Sequence, residues 1–327
     1  MTTDLLILIG SLAVLLAGGE ALVRGASALA RRLGVSSMVI GLTVVAFGTS
    51  APELAVSVTA AASGSGGIAF GNVVGSNIAN VALILGLAAL VRPLAVNSEI
   101  VSRELPMMIL GSVALAVLAL DGPLDGAASG AISRGDGLCL LLFFCVFLYY
   151  TVAGNLFGRR ADPLLEEARD EVPAGGARAP LGRSLALVAG GLVGLSLGGY
   201  LLVESASAVA RALGVPEVVI GATVVAVGTS LPELATSLLA TRRGEADIAV
   251  ANVVGSNVFN ALFIMGTAAA VRPVALSPGG ALDLAVMVAL AVILLQMALT
   301  GGRRITRGEG ACLLACYAGY VLWQTNR

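Results

Sequence analysis

The chain has 327 residues, of which 57% are hydrophobic and 12% charged, with a formal net charge of −1. Its mean hydropathy is +0.96, whereas a soluble globule carries about twice that share of charged residues. These values exclude a water-soluble globule and leave no basic excess for a nucleic-acid partner. All 19 basic residues are arginine and histidine is absent. That removes the commonest ligand for zinc, copper and nickel and the usual proton shuttle. Any metal handled by this chain is therefore a hard one, bound by oxygen.

In chain order, the first apolar run opens at Leu5 with no basic segment before it, so it reads as a spanning helix and not as a cleavable signal. Spans are predicted over 5–33, 38–62, 67–91, 101–121, 136–157, 184–212, 218–241, 246–271, 281–300 and 308–325. The first and sixth exceed the ~20 residues that a bilayer needs, so they tilt or project from it. The sizeable polar interruption, Gly158 to Arg183, is rich in Arg, Asp, Glu, Pro and Gly and reads as a solvated loop at the midpoint. Cys139, Cys145, Cys312 and Cys316 all fall inside apolar runs, where they pack as small apolar residues and form neither a zinc site nor a disulfide framework. Sorting the arginines by connection puts 14 on one side and 4 on the other, with Arg24 inside the first span. By the positive-inside rule the central loop is cytoplasmic and both termini face outward, as in a cell-membrane protein.

Residues 41–93 align with 221–273 at a constant offset of 180 without a gap, and 31 of the 53 positions are identical. GLTVVAFGTSAPELAVS returns as GATVVAVGTSLPELATS, and GNVVGSNIAN as ANVVGSNVFN. The offset assigns five spans to each half, 1–157 and 184–327, separated by the loop 158–183. Five is odd, so the second half enters the membrane from the opposite face. The predicted fold is an all-α polytopic membrane protein, with ten transmembrane helices arranged as two inverted five-helix repeats. In secondary transporters such repeats carry the substrate site near the midplane.

In the second span Ala46, Thr49, Ser50 and Glu53 share one helix face at i, i+3, i+4 and i+7. Pro52 deprives the Gly48 carbonyl of its helical partner, and Gly48 loosens the backbone. Carbonyls freed at this depth are tolerated only within protein or beside a wet cavity. The seventh span repeats each element as Ala226, Gly228, Thr229, Ser230, Pro232 and Glu233. The third span adds Asn72, Ser76 and Asn80 on one face, with Gly71 and Gly75 permitting close approach of a neighbouring backbone. The eighth adds Asn252, Gly255, Ser256 and Asn260. Two carboxylates among amide, hydroxyl and carbonyl oxygens suit Na⁺ and Ca²⁺, whereas Mg²⁺ sheds its water too reluctantly. Two ionised glutamates carry −2, which one Ca²⁺ or two Na⁺ neutralise. Intramembrane acids are functional by default, while Asn72 and Asn252 fit equally well as residues that only join helices. Glu20 and Arg24 form an i, i+4 pair in the first span; its structural role is not duplicated, since Tyr200 and Glu204 stand at the corresponding positions.

GTSAPE with GNVVGSNIAN, repeated as GTSLPE with ANVVGSNVFN, resembles the two alpha-repeats of the sodium/calcium exchanger family, within the cation/calcium antiporter superfamily and closest to its prokaryotic type. The resemblance implies a core of the second, third, seventh and eighth helices, across which the long first and sixth slide during alternating access. It implies antiport of Na⁺ against Ca²⁺ in a lipid bilayer, with no cofactor, no enzymatic step and no obligate protein partner. Carried over by position, the cation ligands are the Ala46 carbonyl, Thr49, Ser50, Glu53, Ser76 and Asn80, with the Ala226 carbonyl, Thr229, Ser230, Glu233, Ser256 and Asn260 opposite them. Some members carry Asp where this chain has Asn260, so Na⁺ stoichiometry, K⁺ dependence and proton sensitivity are not carried over. Proton-coupled Ca²⁺ exchange is the nearest alternative, but a proton needs only a carboxylate and the neutral oxygens favour Na⁺. An intramembrane protease using Glu53 and Glu233 as a dyad leaves the ring of Thr, Ser and Asn without a purpose. A cation channel fits closed, broken-helix repeats less well than alternating access does.

Overall fold

The computed structural model describes residues 2–124, 126, 130–157, 180–213, 228–300 and 302–325. These residues are almost entirely helical, the economical way to satisfy backbone polar groups in lipid. We label the long helices α1 (Thr2–Leu33), α2 (Ser37–Thr49), α3 (Ala51–Ala62), α4 (Gly66–Val91), α5 (Ile100–Ala119), α6 (Arg134–Phe157), α7 (Leu181–Ala212), α8 (Leu231–Arg242), α9 (Ala246–Val271), α10 (Gly280–Thr300) and α11 (Arg307–Thr325). Among the described residues seven of these are long and apolar enough to cross a membrane, and α2 with α3 form a bent pair that makes an eighth span. α11 has the length but is less apolar. Of the predicted span 218–241, residues 218–227 lie outside the described residues, as does most of the loop 158–183.

The break between α2 and α3 bends the chain by 46° at Ser50. Its cause is local: Pro52 sits in the first turn of α3, where the missing N–H is harmless, and it cannot continue the turn before it. Ser230, ahead of Pro232 in α8, has φ −87° and ψ 8°, against −84° and 7° for Ser50. The repeated sequence has thus produced the same backbone twice. Gly64 and Gly244 close the turns into α4 and α9 at φ +86° and +79°, a region that favours glycine. At each turn the nearest neighbour is an arginine guanidinium from the other half, Arg272 over Gly64 and Arg92 over Gly244.

α4 and α9 are the most buried helices. They pack with α5 and α10 in one apolar core that includes Phe70, Ile78, Leu105, Met108, Val254, Met265 and Leu294. A second cluster joins α1 and α7 to the ends of α2 and α8. α1 and α7 pack backbone to backbone. A Cβ on Gly18 would stand 2.7 Å from Leu195 N, one on Gly191 2.6 Å from Leu22 N, and one on Gly198 2.6 Å from Leu15 N. Small residues at such seams let membrane helices approach closely.

Two short antiparallel ribbons, absent from the sequence expectation, tie the halves together. β1 (Leu94–Ala95) pairs with β4 (Arg304–Ile305), and β2 (Ala131–Ile132) with β3 (Val274–Ala275). Each joins the segment after α4 or α9 to the segment before the final helix of the other half. Among the described residues four stretches wind as π-helix, Gly41–Val45, Asn80–Leu85, Ile100–Glu104 and Phe259–Ile264. None of the four cysteines forms a disulfide.

Candidate functional site

The proline breaks deliver Thr49, Ser50 and Glu53 from one half, and Thr229, Ser230 and Glu233 from the other, to a common centre flanked by α4 and α9. Glu53 and Glu233 are each 1% exposed. The halves exchange partners. Ser50 Oγ donates to Glu233 Oε1 at 2.9 Å, and Ser230 Oγ lies 3.3 Å from both Glu53 Oε1 and Ser76 Oγ. The second oxygen of each carboxylate, Oε2, is buried without a hydrogen-bond partner. So is Oδ1 of Asn80, whose Nδ2 donates to Asn257 Oδ1 at 2.9 Å. Buried acceptors normally find donors, so this cluster of uncommitted oxygens is suited to a cation.

Ser256 is fully buried and its Oγ has no hydrogen-bond partner. Asn260 is also fully buried, with neither amide atom hydrogen-bonded. The Ala46 carbonyl accepts the Ser50 N–H at 3.0 Å and lies 3.4 Å from Thr49 Oγ1. Ala226 lies outside the described residues. Asn80 begins one π-helical stretch and Asn260 sits second in another. π-bulges are frequent at functional sites because the extra residue per turn displaces backbone and side chains from the regular ladder.

Several participants were not singled out from sequence. Asn77 and Asn257 exchange bonds across the interface, each Nδ2 donating to the other's carbonyl at 3.2 Å. Ser57 and Ser237 accept from Asn72 and Asn252 at 2.9 and 3.1 Å. The signal was present, because both pairs are identical residues at the offset of 180. Gly255 packs against Ala46 and Leu42, as expected of a small residue at a crossing. No described residue comes within 4 Å of a Cβ on Gly71 or Gly75, and the counterparts of Leu42 and Ala46 lie within the undescribed 214–227. Two further buried acids sit away from the centre. Glu104 bonds Arg103 at 2.8 Å and Thr151 at 3.5 Å, and Asp283 accepts from Tyr320 and Gln324 at 3.1 and 2.8 Å. They join α5 to α6 and α10 to α11. Glu20 accepts from Arg24 at 3.0 Å, as expected, and also from Arg243 beyond the end of α8.

Comparison with known proteins identifies the family. The family profile described as "Sodium/calcium exchanger protein" matches residues 3–153 and 183–326. The putative antiporter CaxA of Alkalimonas amylolytica is 40% identical over 292 residues, covering 88% of each chain. The sodium/calcium exchanger MaX1 of Methanosarcina acetivorans is 34% identical over 345 residues and 98% of each chain. A solved structure of the sodium-calcium exchanger NCX_Mj, soaked with Na⁺ and Ca²⁺, superposes with a TM-score of 0.82 at 30% identity, over 98% of both chains. On its sequence, its fold and these relatives, the chain is a membrane protein that belongs to the sodium/calcium exchanger family.

Proposed function

We propose that this chain is a secondary active antiporter that exchanges Na⁺ for Ca²⁺ by alternating access at the Glu53–Glu233 centre. One observation carries the reading: two buried carboxylates are each bonded through one oxygen to a serine of the opposite half, with the other oxygen uncommitted. Around them Thr49, Ser50, Ser76, Asn80, Thr229, Ser230, Ser256 and Asn260, with the Ala46 carbonyl, supply neutral oxygens, and the repeat in the sequence adds Ala226, outside the described residues, to the proposed set. Ca²⁺ takes about six to eight such ligands in flexible geometry, and the same ring holds Na⁺ when Ca²⁺ leaves. Protons would need the carboxylates alone, so the neutral ring favours Na⁺ as the counter-ion. MaX1 and NCX_Mj both bear the sodium/calcium exchanger name, which supports the same choice.

The charge of the site makes exchange obligatory. An uncompensated carboxylate at mid-membrane costs about 2.5–3.5 kcal/mol on insertion scales. The two glutamates therefore resist reorienting until one Ca²⁺ or two Na⁺ neutralise them. The accompanying architecture has ten helices in two inverted repeats, 1–157 and 184–327. The loop 158–183 is on the cytoplasmic side and both termini lie outside the cell membrane. Its supports are the 14-to-4 arginine asymmetry and the gapless repeat, together with the paired ribbons and exchanged hydrogen bonds between halves.

The test is ⁴⁵Ca²⁺ uptake into proteoliposomes loaded with Na⁺, beside K⁺-loaded and pH-gradient controls. Uptake that requires the outward Na⁺ gradient is expected. Uptake driven by the pH gradient alone would reassign the counter-ion to H⁺, and no uptake from folded protein would remove Ca²⁺ as the substrate.

A further inference from the structure

Asn72 and Asn252 stand one layer behind the centre, each facing a threonine of the opposite half. Thr49 Oγ1 lies 3.2 Å from Asn252 Oδ1, and Thr229 Oγ1 lies 3.4 Å from Asn72 Oδ1. The amides cannot flip freely. Asn252 Nδ2 donates to Ser237 Oγ at 3.1 Å, and Ser237 Oγ in turn reaches the Ala249 carbonyl at 3.5 Å. Asn72 Nδ2 donates to Ser57 Oγ at 2.9 Å and to the Glu53 carbonyl at 3.3 Å. With both donors held on that side, each Oδ1 is left facing its threonine. The arrangement occurs twice, built from Thr49, Ser57 and Asn72 of one half and their counterparts Thr229, Ser237 and Asn252 at the offset of 180.

A hydroxyl has one hydrogen and two lone pairs, and only the lone pairs bind a cation. The Thr49 hydroxyl has two acceptors within hydrogen-bond distance, the Ala46 carbonyl at 3.4 Å and Asn252 Oδ1 at 3.2 Å, and the Glu233 carboxylate belongs to the same centre. A hydrogen aimed at the carboxylate would occupy a lone pair of Glu233 and point the positive end of the O–H dipole at the cation. A hydrogen drawn back to Asn252 frees both oxygens. Thr229 faces Asn72 in the same way.

We infer that Asn72 and Asn252 are positioning residues of the cation site, which take the hydroxyl hydrogens of Thr229 and Thr49 so that those threonines present lone pairs to the ion. The inference rests on the exchange reading above and extends it to a layer that touches no ion. It distinguishes the threonines from Ser50, whose hydrogen goes to a carboxylate. It also explains why an amide is needed behind each threonine, since the amide accepts from the threonine and donates to the anchoring serine at the same time.

A double-mutant cycle tests it. Asn252→Leu and Thr49→Val, each alone and together, are purified and titrated with Na⁺ and with Ca²⁺, following cation-induced thermal stabilisation and ⁴⁵Ca²⁺ uptake. Asn72→Leu and Thr229→Val form the second cycle. Loss of an outer partner of a metal ligand costs about 10- to 100-fold in affinity, and a loss in that range is expected for each asparagine variant. The double variants should bind within about twofold of the threonine variant alone, because the asparagine acts through the hydroxyl. Losses that multiply would overturn the inference and leave Asn72 and Asn252 as helix-joining residues. If a leucine variant does not fold, Ser237→Ala or Ser57→Ala replaces it. Freeing the amide should weaken binding several-fold in the wild-type background and not at all in the threonine→Val background. Wild-type protein that is neither stabilised by Na⁺ or Ca²⁺ nor able to move Ca²⁺ would overturn the exchange reading itself, an outcome distinct from additive cycles in a wild type that does both.

Discussion

At the scale of single residues the centre is a problem of acceptor supply. Glu53 and Glu233 each give one oxygen to a serine of the other half and keep one uncommitted. Glu53→Gln or Glu233→Gln replaces an acceptor with a donor at the position where a cation needs electron density. Ca²⁺ uptake should fall more than about 100-fold, beyond the loss from an outer partner, while the purified protein melts no lower than wild type. Retained uptake in either variant would remove that glutamate from the site. Asn260 differs from the acids in kind, since it cannot change charge with pH. Its amide is fully buried with both atoms unbonded, so Asn260→Asp puts a third ionisable group among the ligands. Uptake by that variant should decline more steeply than wild type as pH is lowered, because protons then compete with the cation at one further carboxylate. Superimposable pH profiles would show that position 260 does not couple to the ion.

At the scale of elements, the seam between α1 and α7 carries the clearest stability prediction. A Cβ on Gly191 would stand 2.6 Å from Leu22 N and 2.8 Å from Gly18 O, whereas one on the adjacent Gly190 meets nothing within 4 Å. Gly191→Ala must push two backbones apart and should cost about 1–3 kcal/mol, as overpacking does. Gly190→Ala should be neutral or slightly stabilising, since alanine is the better helix former. Thermal melting of the two variants in detergent checks the contrast, and equal melting temperatures would mean that α1 and α7 are not packed in this register. The helices themselves were legible in the sequence. The α4 span was predicted over 67–91 and runs from Gly66 to Val91, because a largely apolar run with no charged residue, bounded by Gly-Ser and by Arg-Pro, has little else to become. The break at Ser50 and its copy at Ser230 were legible through Pro52 and Pro232. The π-helical stretches and the two ribbons were not, because their cause is tertiary. Leu94 becomes a strand only because Ile305 is beside it, and no local pattern in two residues records that. The candidate residues among those described gather around the two glutamates, and they were legible because polar residues in apolar spans stand out. Asn77, Asn257, Ser57 and Ser237 carried the same signal and were passed over for want of a visible partner in their own half. Their partners include residues of the other half, or of another helix some fifteen residues away.

At the scale of the whole molecule, the proposed arrangement of two inverted copies around one site would make the inward- and outward-facing states nearly equivalent, so whatever breaks the symmetry would set their balance. Two features here do so. The side chains nearest the kink glycines Gly48 and Gly228 are Leu192 and Val203, both from α7 and neither from its counterpart α1. Glu20 of α1 pairs with Arg243 beyond α8, while the corresponding positions hold Tyr200 and Ser63. Both side chains are about one-third exposed, so the pair is worth about 1 kcal/mol or less. Glu20→Gln should therefore shift the balance of states by no more than about fivefold. Whether α1 moves past α8 at all is open to a stronger test than that. With Cys139, Cys145, Cys312 and Cys316 replaced by alanine, Glu20→Cys and Arg243→Cys can be joined by a short bifunctional thiol reagent. If α1 and α7 slide together across the core, the bridged protein should still be stabilised by Ca²⁺ yet transport at only a few per cent of the unbridged rate, and a cleavable bridge should restore transport on reduction. Full transport with the bridge in place would mean that α1 and α8 travel as one body, and that alternating access in this protein is carried by another pair of elements.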